Sequence, residues 1–464
     1  MKKNLFISLL LALCIFAAPM GAVAEGNSAP SEQAAAAVQE AAPALTADNP
    51  DVKTEYVPQN QAAAANAPEI GCKAAYVADP ATGKVLYEKN AQEKMYPAST
   101  TKILTALVVL ENCKLEETAV VSQQALDLVP EGYSNAGLQA GEEISVEILL
   151  QALLIPSANE AANVLAEHVS GSIEAFAQLC NKRAEELGCK VLHFVNANGM
   201  HDENHYCSAY DMYLVAKECE KHDAFKNIVQ MPKFTVPPTS IHPQDDRTYE
   251  NTNELILSGS SYYYTACNGI KTGHTTEAGE CLVASASKDN LNLISVVLGG
   301  SITDAGENER FSDTVKLFDF AYDNYAIASF AKQYDVYSTI EVKKATKDTA
   351  SLDVVIDADI TSIAPKGLKA SEIKTGVDLN EDIEAPIKRN QVLGTVTLDI
   401  DGMRYTANLI ARTDVEKQPY WLYNILVCAA ILLIVLVIIL IVRSNKKRKR
   451  AQLAAARKRR ERME

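Results

Sequence analysis

The stretch Tyr96-Pro97-Ala98-Ser99-Thr100-Thr101-Lys102-Ile103-Leu104-Thr105-Ala106-Leu107-Val108-Val109-Leu110 decides how the chain is read. A proline-bearing loop gives way to a long apolar helical run, which places Ser99 at a helix start. Residues three apart on a helix share a face, so the Ser99 hydroxyl and the Lys102 amine are neighbours. A helix this apolar is buried, and burial disfavours the charged amine. A lysine brought down from about 10.4 towards neutrality can accept the serine proton. The helix N-terminus adds partial positive charge where an oxyanion would form. Such a pair is an activated nucleophile that needs no histidine.

Ser-x-x-Lys alone is a weak pattern, since it recurs at Ser285-Lys288, Ser329-Lys332, Ser371-Lys374 and Ser444-Lys447. Two further elements single out the first occurrence. Val146 to Leu154 reads as an apolar helix closed by Ile155-Pro156, and Ser157-Ala158-Asn159 follows at once. A hydroxyl and a carboxamide on such a loop can relay a proton and hold a substrate amide, although a capping serine with a structural asparagine would look the same. The third element is Asn268-Gly269-Ile270-Lys271-Thr272-Gly273-His274-Thr275, with strands expected over Cys281 to Ala286 and Leu293 to Leu298. Its glycines let an edge strand approach a ligand, and its lysine and threonines suit a carboxylate. Lys374-Thr375-Gly376 repeats the tripeptide in a polar stretch and reads as a surface turn.

The order Ser-x-x-Lys, Ser-x-Asn, Lys-Thr-Gly resembles the motif set of the penicillin-binding proteins and class A β-lactamases. Within that set the chain is similar to the D-alanyl-D-alanine carboxypeptidases, the low-molecular-mass penicillin-binding proteins of peptidase family S11, from about Ile70 to Lys417. Gly83-Lys84-Val85-Leu86-Tyr87, Glu167 to Ser172, Phe194 to Met200 and Ala278 to Ala284 add to the likeness. The resemblance implies an α/β catalytic domain over 69–332 with the transpeptidase fold, an antiparallel sheet flanked by helices. It implies catalytic roles for Ser99, Lys102, Ser157 and Asn159. Lys271, Thr272, Gly273, His274 and Thr275 would form the substrate-binding strand, with the N–H groups of Ser99 and His274 as the oxyanion hole. The expected substrate is a peptidoglycan stem peptide ending in D-Ala-D-Ala, and β-lactams would acylate the same serine. No metal or organic cofactor is required. Glu160 stands where the family usually has aspartate, and Cys207 where serine or threonine is common. A β-lactamase and a non-catalytic wall-binding protein with a vestigial site are the alternatives.

His201 and His205 are spaced four apart without the intervening glutamate of a metalloprotease helix, so no zinc site is expected there, and His274 lacks a clustered partner, so its side chain reads as structural.

Lys2-Lys3, the apolar Leu5 to Ala18 and Ala22-Val23-Ala24 read as a secretory signal peptide over 1–24. Residues 25–68, rich in Ala, Glu, Gln, Asn and Pro, bury too little apolar surface to order and read as a linker. Ala74 to Ala78 and Lys84 to Glu88 read as a hairpin around Asp79-Pro80-Ala81-Thr82-Gly83. Glu160 to His168, Ile173 to Leu187 and Phe311 to Lys332 have helical periodicity. Tyr337 to Val342, Ser351 to Ile356, Val392 to Ile400 and Arg404 to Ile410 are short and alternating, which argues for a small β-sandwich over 333–415.

Leu422 to Val442 carries no charge and spans about 31 Å as a helix, enough to cross a bilayer. The basic run from Arg443 to Arg462 marks 443–464 as a cytoplasmic tail. Without that tail the rest of the chain is more acidic than the whole-chain net charge of −15, so nucleic acid is not an expected partner. Of ten cysteines, Cys14 falls in the signal and Cys428 in the span. Export permits disulfides among the others, and Cys267 with Cys281 is the first expectation, since they flank a turn between neighbouring strands.

Overall fold

The structure is a computed structural model that describes residues 52–56, 66–244 and 246–463. The signal-peptide reading and most of the linker reading lie outside these residues.

A five-stranded antiparallel sheet organises the first module, in the spatial order Val85–Lys89, Ala74–Ala78, Leu291–Gly300, Gly279–Lys288, Cys267–Thr275. Its three inner strands carry runs of buried apolar residues because both faces are covered. Tyr76, Ala78, Val283, Ile294 and Val296 face one core, while Ala75, Val77, Leu282, Ala284 and Val297 face the other. That split follows from the two-residue period of a strand. Phe311, Leu317 and Phe318 of the Glu309–Asn324 helix cover the second face.

On the first face the Lys102–Asn112 helix runs through the middle of an all-helical layer. Every residue from Lys102 to Val109 is buried. It packs against the helices Val146–Leu154, Asn159–Ser170, Ile173–Glu186 and Ala209–Cys219. A helix that is apolar on all sides needs such enclosure, and its N-terminal end is thereby aimed at the edge strand that carries Lys271.

The second module is a β-sandwich. One layer runs Val336–Glu341, Ser351–Ile356, Met403–Ala411, Val392–Ile400, Lys374–Leu379, and the other is the pair Tyr325–Ala331 and Ile360–Pro365. Leu352, Val354, Val396 and Leu409 meet Ala331, Ile360 and Ala364 between them. Tyr405 donates its hydroxyl hydrogen bond across the core to Ser362 Oγ at 2.8 Å. The buried Lys84 amine reaches from the first module to Asp401, 2.6 Å from both its backbone and its carboxylate oxygen. From Trp421 to Arg460 the chain is one helix, long and apolar enough to cross a membrane.

Four expectations are corrected. The helix expected to reach Lys332 stops at Asn324, whose side chain donates to the Phe320 carbonyl, and Tyr325–Ala331 turns into a strand. Lys374-Thr375-Gly376 lies in an edge strand rather than a turn, paired with Asp399, Leu398 and Thr397. Within the linker range, Lys53–Tyr56 adds a strand beside Met403–Thr406. Cys267 and Cys281 do not form a disulfide: Cys267 pairs in register with Ala286 and Cys281 with Gly273, so the two lie well apart along their strands.

Candidate active site

Ser99 belongs to a tight 3-10 turn, Ala98–Thr101, and the α-helix proper begins at Lys102. In a 3-10 turn side chains three apart eclipse, which brings Lys102 Nζ to 2.8 Å from Ser99 Oγ. The amine is fully buried, and its pKa falls to about 7 through loss of water, with the nearby Glu160 carboxylate opposing the shift. Two other acceptors surround it, Asn159 Oδ1 at 3.0 Å and the Asn198 carbonyl at 2.6 Å. A neutral amine has two N–H bonds and one lone pair. With both N–H bonds directed to Asn159 and Asn198, the lone pair faces the serine hydroxyl.

Asn159 is held in this orientation because its Nδ2 donates to the Ser134 carbonyl at 2.9 Å, leaving Oδ1 for the lysine. Ser157 precedes it on a loop with left-handed backbone, φ 66°, and is buried. Among the described residues no hydrogen bond joins the Ser157 hydroxyl to Ser99, Lys102 or Lys271. Glu160 is buried beside the pair, its Oε1 accepting from the Ala136 amide at 2.6 Å. Burial raises its pKa.

The edge strand Cys267–Thr275 forms the opposite wall. Gly273 lies so near the 3-10 turn that a Cβ there would sit 2.8 Å from the Pro97 carbonyl oxygen and 3.0 Å from the Ser99 amide nitrogen. Lys271 is buried, donating to the Thr272 carbonyl at 3.1 Å and, more weakly, to Thr252 Oγ1 at 3.5 Å. Burial depresses its pKa, and the cations of Lys102 and Arg310 push the same way. Thr272 donates to Thr252 Oγ1 at 2.6 Å. His274 has an exposed ring, paired through Nδ1 with Glu280 Oε1 at 2.9 Å. Thr275 closes the strand, its hydroxyl accepting from the Ala278 amide.

The structure therefore unites Ser99, Lys102 and Asn159 by direct contact and sets the Lys271 strand against them. Three participants were not singled out in the sequence, and a fourth, His205, was weighed there only as a metal ligand. The Asn198 carbonyl and Thr252 come from loops distant in the chain. Arg310, at the start of the Glu309–Asn324 helix, lies 3.4 Å from the Gly273 carbonyl and 2.7 Å from Glu280 Oε2. His205 is buried behind the turn: its Nδ1 accepts from the Val195 amide, so Nε2 carries the hydrogen and donates to Thr101 Oγ1 at 2.8 Å. No sequence pattern marks these contacts, although an Asn-rich segment at Asn196 to Asn198 is a visible trace of one.

A curled antiparallel sheet with this serine, lysine and strand defines the penicillin-binding-protein fold. The D-alanyl-D-alanine carboxypeptidase family profile matches residues 61–302, and that of the penicillin-binding protein 5 C-terminal domain matches 327–417. D-alanyl-D-alanine carboxypeptidase DacF of Bacillus subtilis is 34% identical over 354 residues, covering 74% of this chain and 86% of that protein. DacA of Escherichia coli K12 is 30% identical over 345 residues, covering 72% and 81%. The crystal structure of penicillin binding protein 5 from Haemophilus influenzae superposes with a TM-score of 0.57 at 29% identity, covering 75% of this chain and 99% of that one. The chain belongs to the D-alanyl-D-alanine carboxypeptidase family, peptidase S11.

Proposed function

We propose that this protein is a serine-type D-Ala-D-Ala carboxypeptidase that removes the terminal D-alanine from peptidoglycan stem pentapeptides and is acylated by penicillin. One observation carries the reading: the buried Lys102 amine lies 2.8 Å from Ser99 Oγ with its pKa near neutrality. Ser99 Oγ attacks the carbonyl of the penultimate D-alanine while its proton passes to Lys102. The N–H groups of Ser99 and His274 take the developing oxyanion. The amide bond breaks, Ser157 relays the proton to the departing D-alanine nitrogen, and Asn159 holds both the lysine and the substrate amide. Water then hydrolyses the ester and restores Ser99.

Lys271 and Thr272 grip the terminal carboxylate, with Gly273 and Thr275 lining the strand beside it. A substrate carboxylate supplies the negative partner that a buried lysine lacks, so binding and charging of Lys271 reinforce each other. A β-lactam presents a carboxylate and a strained amide in the same arrangement and leaves a persistent adduct.

The division into signal peptide, linker, catalytic domain, sandwich, span 422–442 and tail 443–464 belongs to the same proposal, with the catalytic domain ending where the Glu309–Asn324 helix ends, the sandwich beginning at Tyr325, and Lys53–Tyr56 of the linker range joining the sandwich. It puts the catalytic domain outside the cytoplasm on a single membrane anchor, with the basic tail inside.

Release of D-alanine from a peptide ending in D-Ala-D-Ala, lost in Ser99→Ala, is the expected result. Fast turnover of penicillin without D-alanine release would instead make the protein a β-lactamase, and neither release nor adduct would make the site vestigial.

A further inference from the structure

We propose that Cys113, Glu117 and His168 form a zinc site that ties together the far ends of the two helices whose near ends carry Lys102 and Asn159. Cys113 closes the Lys102–Asn112 helix, its amide still bonded to the Val109 carbonyl. The chain then turns, with the Glu117 amide donating to the Lys114 carbonyl and the Lys114 amide donating back to Glu117 Oε1 at 2.8 Å. That second bond anchors the carboxylate and leaves Oε2 facing His168 Nε2, 3.3 Å away. His168 stands in the last turn of the Asn159–Ser170 helix, just before the left-handed Gly171 that ends it. The thiol sulfur, an imidazole nitrogen and a carboxylate oxygen all lie within 4.8 Å of one another.

This donor set selects the metal. Thiolate and imidazole favour zinc over magnesium or calcium, which prefer oxygen alone. Zinc bonds of about 2.0–2.3 Å in a tetrahedron place donors roughly 3.5 Å apart, so small side-chain rotations close the triangle. The Glu117 side chain is 43% exposed and that of His168 23%, which gives an ion an entrance and leaves a fourth corner for water. On binding, the Cys113 S–H bond breaks as the sulfur–zinc bond forms, and the proton leaves to solvent. The helix between Lys102 and Cys113 is about 16 Å long, so the metal is remote from the reacting serine. Its effect is to fix the relative position of the two helices that hold the amine and its asparagine partner.

The test uses the purified full chain in detergent, with cobalt(II) as a spectroscopic probe and zinc for affinity. The unaltered protein is expected to give a thiolate-to-cobalt charge-transfer band and tetrahedral ligand-field bands, both lost in Cys113→Ser. His168→Gln is expected to weaken zinc binding by at least about tenfold. Zinc should raise the melting temperature of the unaltered protein but not of Cys113→Ser, while penicillin acylation is retained in that variant. A missing band in the unaltered protein, its persistence in Cys113→Ser, or unchanged zinc affinity in His168→Gln would each overturn the proposal.

Discussion

Gly273 approaches Ser99 so closely that a methyl group on its α-carbon would stand 3.0 Å from the Ser99 amide nitrogen. The Pro97 carbonyl oxygen would be nearer still, at 2.8 Å. The edge strand and the turn that carries Ser99 thus meet backbone to backbone, and this contact fixes how closely they approach. Gly273→Ala must push the strand away from the serine. Misplacement of about 1 Å can cost about 10²-fold in rate, and a loss of that order in penicillin acylation is expected, with far-ultraviolet circular dichroism unchanged. Acylation at the unaltered rate would show that the cleft tolerates a wider gap.

Lys102 must be neutral to receive the serine proton. Its pKa is lowered to about 7 by burial, so the reactive fraction grows as pH rises through that value. The acylation rate constant is therefore expected to climb between about pH 6 and 8 and then level off, as a base titrating near 7 requires. Lys102→Ala should reduce acylation by about 10²–10⁴-fold and remove the pH dependence. Stopped-flow or quenched acylation with a chromogenic β-lactam across that range gives the profile.

Lys271 touches no acid among the described residues. Its contacts are the Thr252 hydroxyl and a backbone carbonyl. Lys271→Ala should lower kcat/KM for a free-carboxylate peptide by about 10–10²-fold, the worth of one charge-assisted hydrogen bond. The amide-capped peptide should be affected far less. Equal losses for both peptides would assign the lysine to general structure.

His205 couples the turn to acid stability. Burial lowers its pKa to about 3, below the unfolded value of about 6.5. Between those two values the unfolded chain binds a proton that the folded chain does not, so stability is full above pH 6.5 and declines as pH falls towards 3. At pH 5 the loss from this group alone is about 2 kcal/mol relative to pH 7. His205→Gln keeps a donor for Thr101 without the titration, and urea unfolding at pH 7 and 5 should show a smaller pH-dependent drop by that amount.

Much of the site was legible because its chemistry is local in sequence. Ser99 and Lys102 are one turn apart, Ser157 and Asn159 straddle the start of one helix, and Lys271 to Thr275 share one strand. What the spacing could not reveal is what tertiary packing brings in. Thr252, the Asn198 carbonyl and Arg310 reach the site from three distant segments, and Cys281 was mispaired because strand register, which sets it opposite Gly273, is not written in cysteine spacing. The second module shows the same limit. Strands with clean alternation such as Val392–Ile400 were found, whereas Lys374–Leu379 is exposed along most of its length and Tyr325–Ala331 follows a helix without a break. Lys53–Tyr56 pairs with a strand some 350 residues away along the sequence, and nothing nearby announces it.

The central claim is that Ser99 is the nucleophile activated by a neutral Lys102. Peptide mapping by mass spectrometry after incubation of the full chain with penicillin tests it most directly. The expected result is one penicilloyl group on the peptide containing Ser99 in the unaltered protein and none in Ser99→Ala. An adduct on a different residue, or one that survives in Ser99→Ala, would contradict it.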